Sequence, residues 1–153
     1  MELAEQILDA WRINARLNLY LLDAIPPERL HTSMAKGKSV AGQFTHLHNV
    51  RGMWLKAASP DLYEGMAKLE PGGIDHSLLR RQLEDSGERI ASLMQRGLEA
   101  GRIKNFKPHP AAFLGYLVAH ESNHRTQVEV ALRQAGTPLA DAVAFGLWEW
   151  GVR

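Results

Sequence analysis

The chain contains no cysteine. This absence excludes disulfide bonds, a thiolate nucleophile of its own and a zinc site built on cysteine ligands, and it agrees with a cytoplasmic location. An excess of charge of one sign is also lacking. The 18 lysine and arginine residues are nearly balanced by 17 aspartate and glutamate residues, and residues of like charge are not grouped in blocks. We therefore expect no nucleic-acid partner, because the electrostatic attraction that such binding needs is missing.

Long apolar segments are missing as well. No window has the length and apolarity of a membrane span, so we expect no membrane contact. The opening residues, MELAEQILDAW, include acidic side chains where a signal peptide requires an uninterrupted apolar core. Internal repeats and convincing strands are absent too. With 153 residues, 45% of them hydrophobic and 23% charged, residues 1–153 are expected to form a single domain with a substantial core.

What the sequence does contain is helical periodicity. Apolar residues at three- and four-residue spacing predict four long amphipathic helices. These cover residues 2–24, 40–58, 75–100 and 110–136. A short fifth helix over residues 140–150 is expected to dock on them through Val143, Leu147 and Trp148. The pattern predicts an all-α four-helix bundle with a short C-terminal fifth helix. Residues 59–74 show no clear period, and a loop of this length is a candidate lid or rim of a site.

The fourth predicted helix includes FLGYLVAHESNHRTQVEVAL, residues 113–132. Its buried face is marked by apolar residues: Phe113, Leu117, Val128 and Ala131. His120 and His124 fall within the same arc, one turn apart. A single histidine on an apolar face is more often a hydrogen-bonded core residue. For two such histidines we favour a divalent metal site, because a shared ion removes the cost of burying both rings.

A third ligand is available on the second predicted helix, where His46 and His48 lie on opposite flanks of the inward face. Residues two apart cannot point the same way on a helix, so at most one of them can join the pair. Periodicity alone does not choose between them. HESNH also matches the H-E-x-x-H signature of zinc peptidases, with Glu121 as the general base. That alternative is remote, because no histidine follows His124 to complete the site.

Two motifs invite comparison with a known family. The second helix carries HLHNVRGMW, residues 46–54, and the fourth carries HESNHRTQ, residues 120–127. Together, in this order, they resemble the DinB-like family of damage-inducible and YfiT-like proteins, over nearly the whole chain. Family members have a histidine eight residues before a tryptophan, and later a histidine, three residues and histidine-arginine-x-glutamine. The resemblance implies a metal triad of His46, His120 and His124, with His46 chosen by its spacing to Trp54.

The resemblance also implies a four-helix bundle that is often dimeric and holds zinc, nickel or a similar divalent ion. Some relatives are thiol-dependent transferases or isomerases that use a small thiol cofactor. Three histidine nitrogens leave a coordination position open, as in catalytic sites. Because this chain has no cysteine, such a thiol would have to come from outside.

Two neighbours of the histidine pair are candidate catalytic residues. Tyr116 lies one turn before His120 and could be a proton donor, although core packing is the favoured interpretation. Glu121 is placed at the edge of the buried arc, where it could act as a base through water or simply be solvated.

Four further residues are candidates for positioning or binding. Gln127 could orient a ligand, or be a surface amide. Arg125 could bind a substrate carboxylate, but pairing with an acidic side chain is favoured. Asn14, like Asn18, lies near the apolar stripe of the first helix and could line a polar cavity or be packed with hydrogen bonds. His48 remains the alternative to His46.

The leading functional hypothesis is a metal-dependent enzyme, a transferase or hydrolase, for a small-molecule substrate, with thiol-dependent group transfer as the favoured reaction. The alternative is a metal-binding or small-molecule-binding module without catalysis. The expected partners are the substrate and a second copy of the chain in a homodimer.

Overall fold

The computed structural model describes residues 1–153 and is all-helical, as the periodicity predicts. The four long helices are α1 (Leu3–Asp23), α2 (Val40–Ala58), α4 (His76–Ala100) and α5 (Pro110–Gln134). Two short helices are α3 (Pro60–Tyr63) and α6 (Asp141–Gly146), and 3-10 turns occupy Pro27–Arg29 and Trp150–Val152. There are no strands beyond two isolated bridges. None of the helices combines the length and the apolarity needed to cross a membrane.

Local capping explains where the long helices begin and end. The Ser39 hydroxyl accepts a hydrogen bond from the Gly42 amide at 3.0 Å and starts α2. Asp75 does the same for α4, accepting from the Leu78 amide at 2.7 Å. Gly101 ends α4 in the left-handed region at φ 70°. The predicted boundaries of these helices are confirmed to within a residue or two.

The core consists of two apolar clusters separated by a polar layer. One cluster includes Leu47, Leu83 and Val128, and the other includes Leu55, Ile90 and Leu117. Along each long helix the two clusters are separated by buried polar side chains. These are Asn14 and Asn18 on α1, Arg51 on α2, Ser86 on α4, and Glu121 and Arg125 on α5.

Residues 59–74 contain one turn of helix, α3, and the rest is fixed against the bundle. Asn49 of α2 forms two hydrogen bonds with the backbone of Leu69, both 2.9 Å long. Met66, Leu69 and Ile74 are buried. The segment therefore lies along α2 as a rim beside His46.

The prediction of a helix over residues 140–150 is wrong in extent. α6 ends at Gly146, which packs so closely on Tyr20 that a side chain there would overlap the tyrosine hydroxyl. Leu147 docks on the bundle and is 9% exposed, but Trp148 is 82% exposed and does not dock. Gly146 therefore leaves no room for a side chain against Tyr20, and the helix ends at this residue.

Candidate metal centre

Three histidines from two helices converge at the surface of the bundle, between α2 and α5. The Nε2 atom of His120 lies 3.3 Å from that of His46 and 3.2 Å from that of His124. All three rings are half-buried, and their ligand atoms lie within 4.8 Å of one another. Zinc bound tetrahedrally at about 2.0–2.1 Å holds its nitrogen ligands roughly 3.3–3.4 Å apart. The observed spacing therefore fits three ligands of one ion.

A hydrogen bond orients one of these rings. The Nδ1 atom of His124 lies 2.6 Å from Oε1 of Gln43, a side chain that is 4% exposed. Because an amide oxygen only accepts, Nδ1 carries the proton and Nε2 presents its lone pair to the centre. Gln127, the residue predicted for this role, is half-buried and forms no hydrogen bond with the triad. Gln43 could have been noticed because it precedes His46 by three residues on the same helix.

The local electrostatics keep the three rings neutral. Burial lowers the pKa of His46 and His120. Burial, together with the neighbouring His120, His46 and Lys38, lowers the pKa of His124 to about 4. Neutral imidazole is the form that binds metal ions, so no proton has to leave the site near pH 7.

An aromatic wall borders the triad on the His120 side. The Tyr116 ring stacks on that of His120, with centroids 6.3 Å apart and planes inclined by 17°. Trp54 packs edge-on against Phe106, Phe113 and Tyr116. Tyr116 is 38% exposed, so it covers the aromatic cluster while its other side faces solvent. Its role as a proton donor stays a prediction.

Basic side chains border the triad on the His46 side. A cavity of about 220 Å³ is lined in part by His46, Lys38, Lys68 and Glu70. Lys68 is paired with Glu70 at 2.9 Å. Lys38 forms no such pair, and it is close enough to lower the pKa of two of the histidines. An anionic ligand would therefore meet an unpaired positive charge as it approached the triad.

The two interpretations of Glu121, as a base through water or as a solvated side chain, are both wrong. Glu121 is 1% exposed, and Arg51 donates to its Oε1 from Nε at 2.7 Å and to its Oε2 from Nη2 at 3.0 Å. Asn14 and Asn18 also donate to Oε2, at 2.6 and 2.7 Å. Burial by itself would raise the pKa of Glu121, but the charge and hydrogen bonds of Arg51 keep it below its usual value. The carboxylate is thus an ionised anchor inside the bundle, with no free edge for a water molecule.

The position of Glu121 also excludes the zinc-peptidase site suggested by the HESNH motif. The glutamate of that motif must face the metal-bound water, whereas Glu121 faces α1 and the Arg51 side chain on α2. The third histidine comes from α2, earlier in the chain, and the structure has no strand against which a peptide could lie.

Arg125 and Asn14 belong to the same polar layer as Glu121. Arg125 is 8% exposed, and its Nη1 donates to Oδ1 of Asn14 at 2.9 Å and of Asn18 at 2.8 Å. Arg125 therefore makes no contact ion pair with an acid, and the favoured pairing takes the form of a link to Glu121 through the two asparagines. Asn14 is fully buried and bridges Arg125 to Glu121, so it contacts no metal ligand directly.

His48 is turned away from the triad. It is fully buried, and its ring nitrogens lie 3.1 Å from the carbonyl oxygen of Gln82 and 2.9 Å from that of Ala67. His46 is accordingly the α2 histidine that faces His120 and His124. Arg51 is not among the predicted site residues, although it lies midway between the buried residues Leu47 and Leu55, four positions from each.

Fold and site together define a helical bundle with a three-histidine cluster that is open on one side and suited to a divalent ion. The DinB family model matches residues 1–148 of the 153, and the chain belongs to the DinB family. No curated protein and no solved structure matches the chain significantly.

Proposed function

We propose that this protein is a divalent-metal-dependent enzyme that acts on a small molecule, with transfer of a group to or from an external thiol as its reaction class. The observation that carries the proposal is the convergence of three neutral imidazole rings, with Nε2 of His120 3.2–3.3 Å from Nε2 of both other histidines. Membership of the DinB family supports it. A fourth position stays open in such a set, which distinguishes catalytic zinc sites from closed structural ones.

The residues around the triad support this chemistry. A divalent ion held there would act as a Lewis acid and lower the pKa of a thiol ligand. Lys38 attracts an anionic ligand from the cavity beside His46. The Tyr116 ring stacks on His120 on the other side, and its hydroxyl would hold or deliver a proton there. The aromatic cluster of Trp54 and Phe106 packs behind Tyr116 and supports its ring.

One observation favours a second candidate, a metal-binding module without catalysis. The only carboxylate adjacent in sequence to the triad, that of Glu121, is enclosed and cannot serve as a general base. A reaction at this site would therefore need another proton acceptor, such as a ligand of the ion. Zinc or nickel as the ion, a homodimeric assembly and a cytoplasmic location stay predictions.

Cobalt substitution separates the two candidates. Chelated protein reloaded with Co²⁺ should bind one ion per chain, and titration with 2-mercaptoethanol should produce a thiolate-to-cobalt charge-transfer band that saturates at one thiol per ion. His46→Ala should lose the ion and the band, whereas His31→Ala, at an exposed position, should keep both. An ion that binds stoichiometrically but shows no exchangeable ligand would favour the non-catalytic module. The absence of any bound ion would refute the metal site itself.

A further inference from the structure

A second cavity, of about 200 Å³, lies on the other flank of α5. It is enclosed by α1, α5 and the C-terminal segment. The α5 residues that line it are Val118, Ser122, Arg125, Thr126 and Glu129. At about 100° per residue, these positions are turned by roughly 160° around the helix from His120 and His124. The cavity is therefore separate from the candidate metal centre.

Arg125 gives this cavity its chemistry. The side chain is 8% exposed and uses only Nη1 for hydrogen bonds, to the two asparagines of α1. Its Nε and Nη2 atoms have no protein acceptor. The only side-chain nitrogen or oxygen atoms that lack a partner and are sealed from solvent are Trp54 Nε1 and His120 Nδ1. The free N–H groups of Arg125 must therefore be reached by solvent, and the cavity that Arg125 lines provides the access.

The other buried arginine is a useful contrast. Arg51 donates from Nε, Nη1 and Nη2, to Glu121, the Leu83 carbonyl and the Ser86 hydroxyl. Arg51 therefore has a protein acceptor at each nitrogen, and Arg125 at only one. A buried guanidinium with unused donors is costly unless another acceptor reaches them.

The charges of the polar layer do not cancel. Arg51 and Arg125 contribute two positive charges, and Glu121 contributes the single buried negative charge. Glu129 also lines the cavity and its charge acts on Arg125, but it makes no ion pair or hydrogen bond with the guanidinium, whose hydrogen bonds go only to Asn14 and Asn18. The Nε and Nη2 donors of Arg125 are therefore not occupied by an acidic side chain and can meet the oxygens of a bound anion.

The walls formed by α1 and the C-terminal segment are apolar and partly aromatic. Leu17 and Leu147 are buried, and Trp148 and Trp150 are 82% and 36% exposed at the opening. A cavity of about 150 Å³ is known to accept benzene. The space here accordingly suits one ring-sized apolar group next to the guanidinium. The Ser122 and Thr126 hydroxyls offer further polar contacts.

We propose that this cavity is a binding site for a small monocarboxylate with a ring-sized apolar body. The carboxylate oxygens accept hydrogen bonds from Nε and Nη2 of Arg125, which together form the edge that guanidinium groups use for bidentate pairing. The apolar body lies against Leu147 and the two tryptophans. The site needs no metal, so it is independent of the proposed enzymatic function.

Benzoate is the test probe, with benzamide as its neutral isostere and benzylamine as its cationic counterpart. Affinities are measured by ligand-observed NMR, on the protein as purified and again after chelation. Benzoate should bind saturably in both states, since binding at the histidine triad would be lost with the metal. Benzamide and benzylamine should bind at least about tenfold more weakly, because a charge-assisted hydrogen bond contributes at least that factor.

Two variants test whether benzoate binds in this cavity. Ser122→Phe fills the cavity from an exposed position on α5, and Asn123→Phe adds the same group at the next, equally exposed position, which does not line it. Ser122→Phe should weaken benzoate binding about tenfold or more, and Asn123→Phe should leave it unchanged. Equal affinities for these two variants would overturn the proposal. The proposal would also be overturned if benzamide bound as tightly as benzoate, or if chelation of the metal abolished benzoate binding. Arg125→Met should also lose binding, and the Ser122 variant keeps the test decisive if Arg125→Met does not fold.

Discussion

Replacing Glu121 by glutamine tests the central role given to the buried polar layer. The carboxylate accepts two hydrogen bonds from Arg51 and one each from Asn14 and Asn18, all between 2.6 and 3.0 Å long. Glu121→Gln keeps the shape of the side chain but removes its charge. One acceptor oxygen becomes an NH₂ group that faces existing donors. Arg51 and Arg125 would then be buried without any anion in the layer.

The expected loss of stability follows from that arrangement. Removing one partner of a buried ion pair costs about 3–5 kcal/mol, mostly because the other charge is left uncompensated. Domains of this kind are stable by about 5–15 kcal/mol, so the loss is a large fraction of the total. At about 2–4 °C for each kcal/mol, the melting temperature should fall by roughly 6–20 °C.

Urea unfolding and thermal melts followed by circular dichroism give the measurement. Glu129→Gln is the matched control, because it removes the same charge from the same helix at a half-buried position with no ion pair. We expect this control to change stability by at most about 0.5 kcal/mol. If Glu121→Gln also unfolded within about 1 kcal/mol of the unmodified chain, Glu121 would not be the anchor described here.

Further predictions concern the triad, the ion and the helix packing. His46→Ala should lose most bound metal with little change in the stability of the chelated protein. His48→Ala should keep the metal but lose about 1–3 kcal/mol, because it removes a fully buried ring and its hydrogen bond to a backbone carbonyl oxygen. The opposite ranking would exchange their roles. Chelated protein should retain its helical circular dichroism and melt cooperatively at a lower temperature than the metal-bound form. Loss of the helical signal on chelation would show that the ion is structural. Gly97→Ala should destabilise the bundle by about 1–3 kcal/mol, since the added methyl group would overlap Ile103. Gly115→Ala, with open space around it, should be neutral or stabilising, and equal effects of the two would contradict the close approach at Gly97.

The long helices could be predicted from the sequence because their signals are local. The apolar stripes, the cap at Ser39 and the left-handed glycine at Gly101 depend only on neighbouring residues. The grouping of His46 with His120 and His124 needed the family resemblance, since periodicity left His46 and His48 equivalent. The structure distinguishes them through the Ala67 and Gln82 carbonyls that surround His48, and these come from segments distant in sequence.

The buried charges could not be predicted by the same reasoning, which assigns charged residues to the outside of a helix. On α5, Leu117, Glu121, Arg125 and Val128 share the buried face at spacings of four, four and three residues. That spacing places Glu121 near the centre of the face and His120 at its margin, the reverse of the sequence-based placement. The burial of Arg51 was not predicted for the same reason. Only its partners on α4 and α5 explain why its charge can be buried.

The polar layer has a consequence for how α5 can be aligned in the bundle. If α5 slid by one helical turn, about 5.4 Å, Leu117 or Arg125 would lie where Glu121 now meets Arg51. A buried guanidinium would then face a hydrocarbon or a like charge, so misaligned forms of the bundle are strongly disfavoured. His120 precedes Glu121 directly, and His46 lies five residues before Arg51. The ion pair between Arg51 and Glu121, which selects the correct alignment, therefore also sets the distance between the histidines of α2 and α5. We expect the loops around the histidines to tolerate sequence changes without moving the three rings apart.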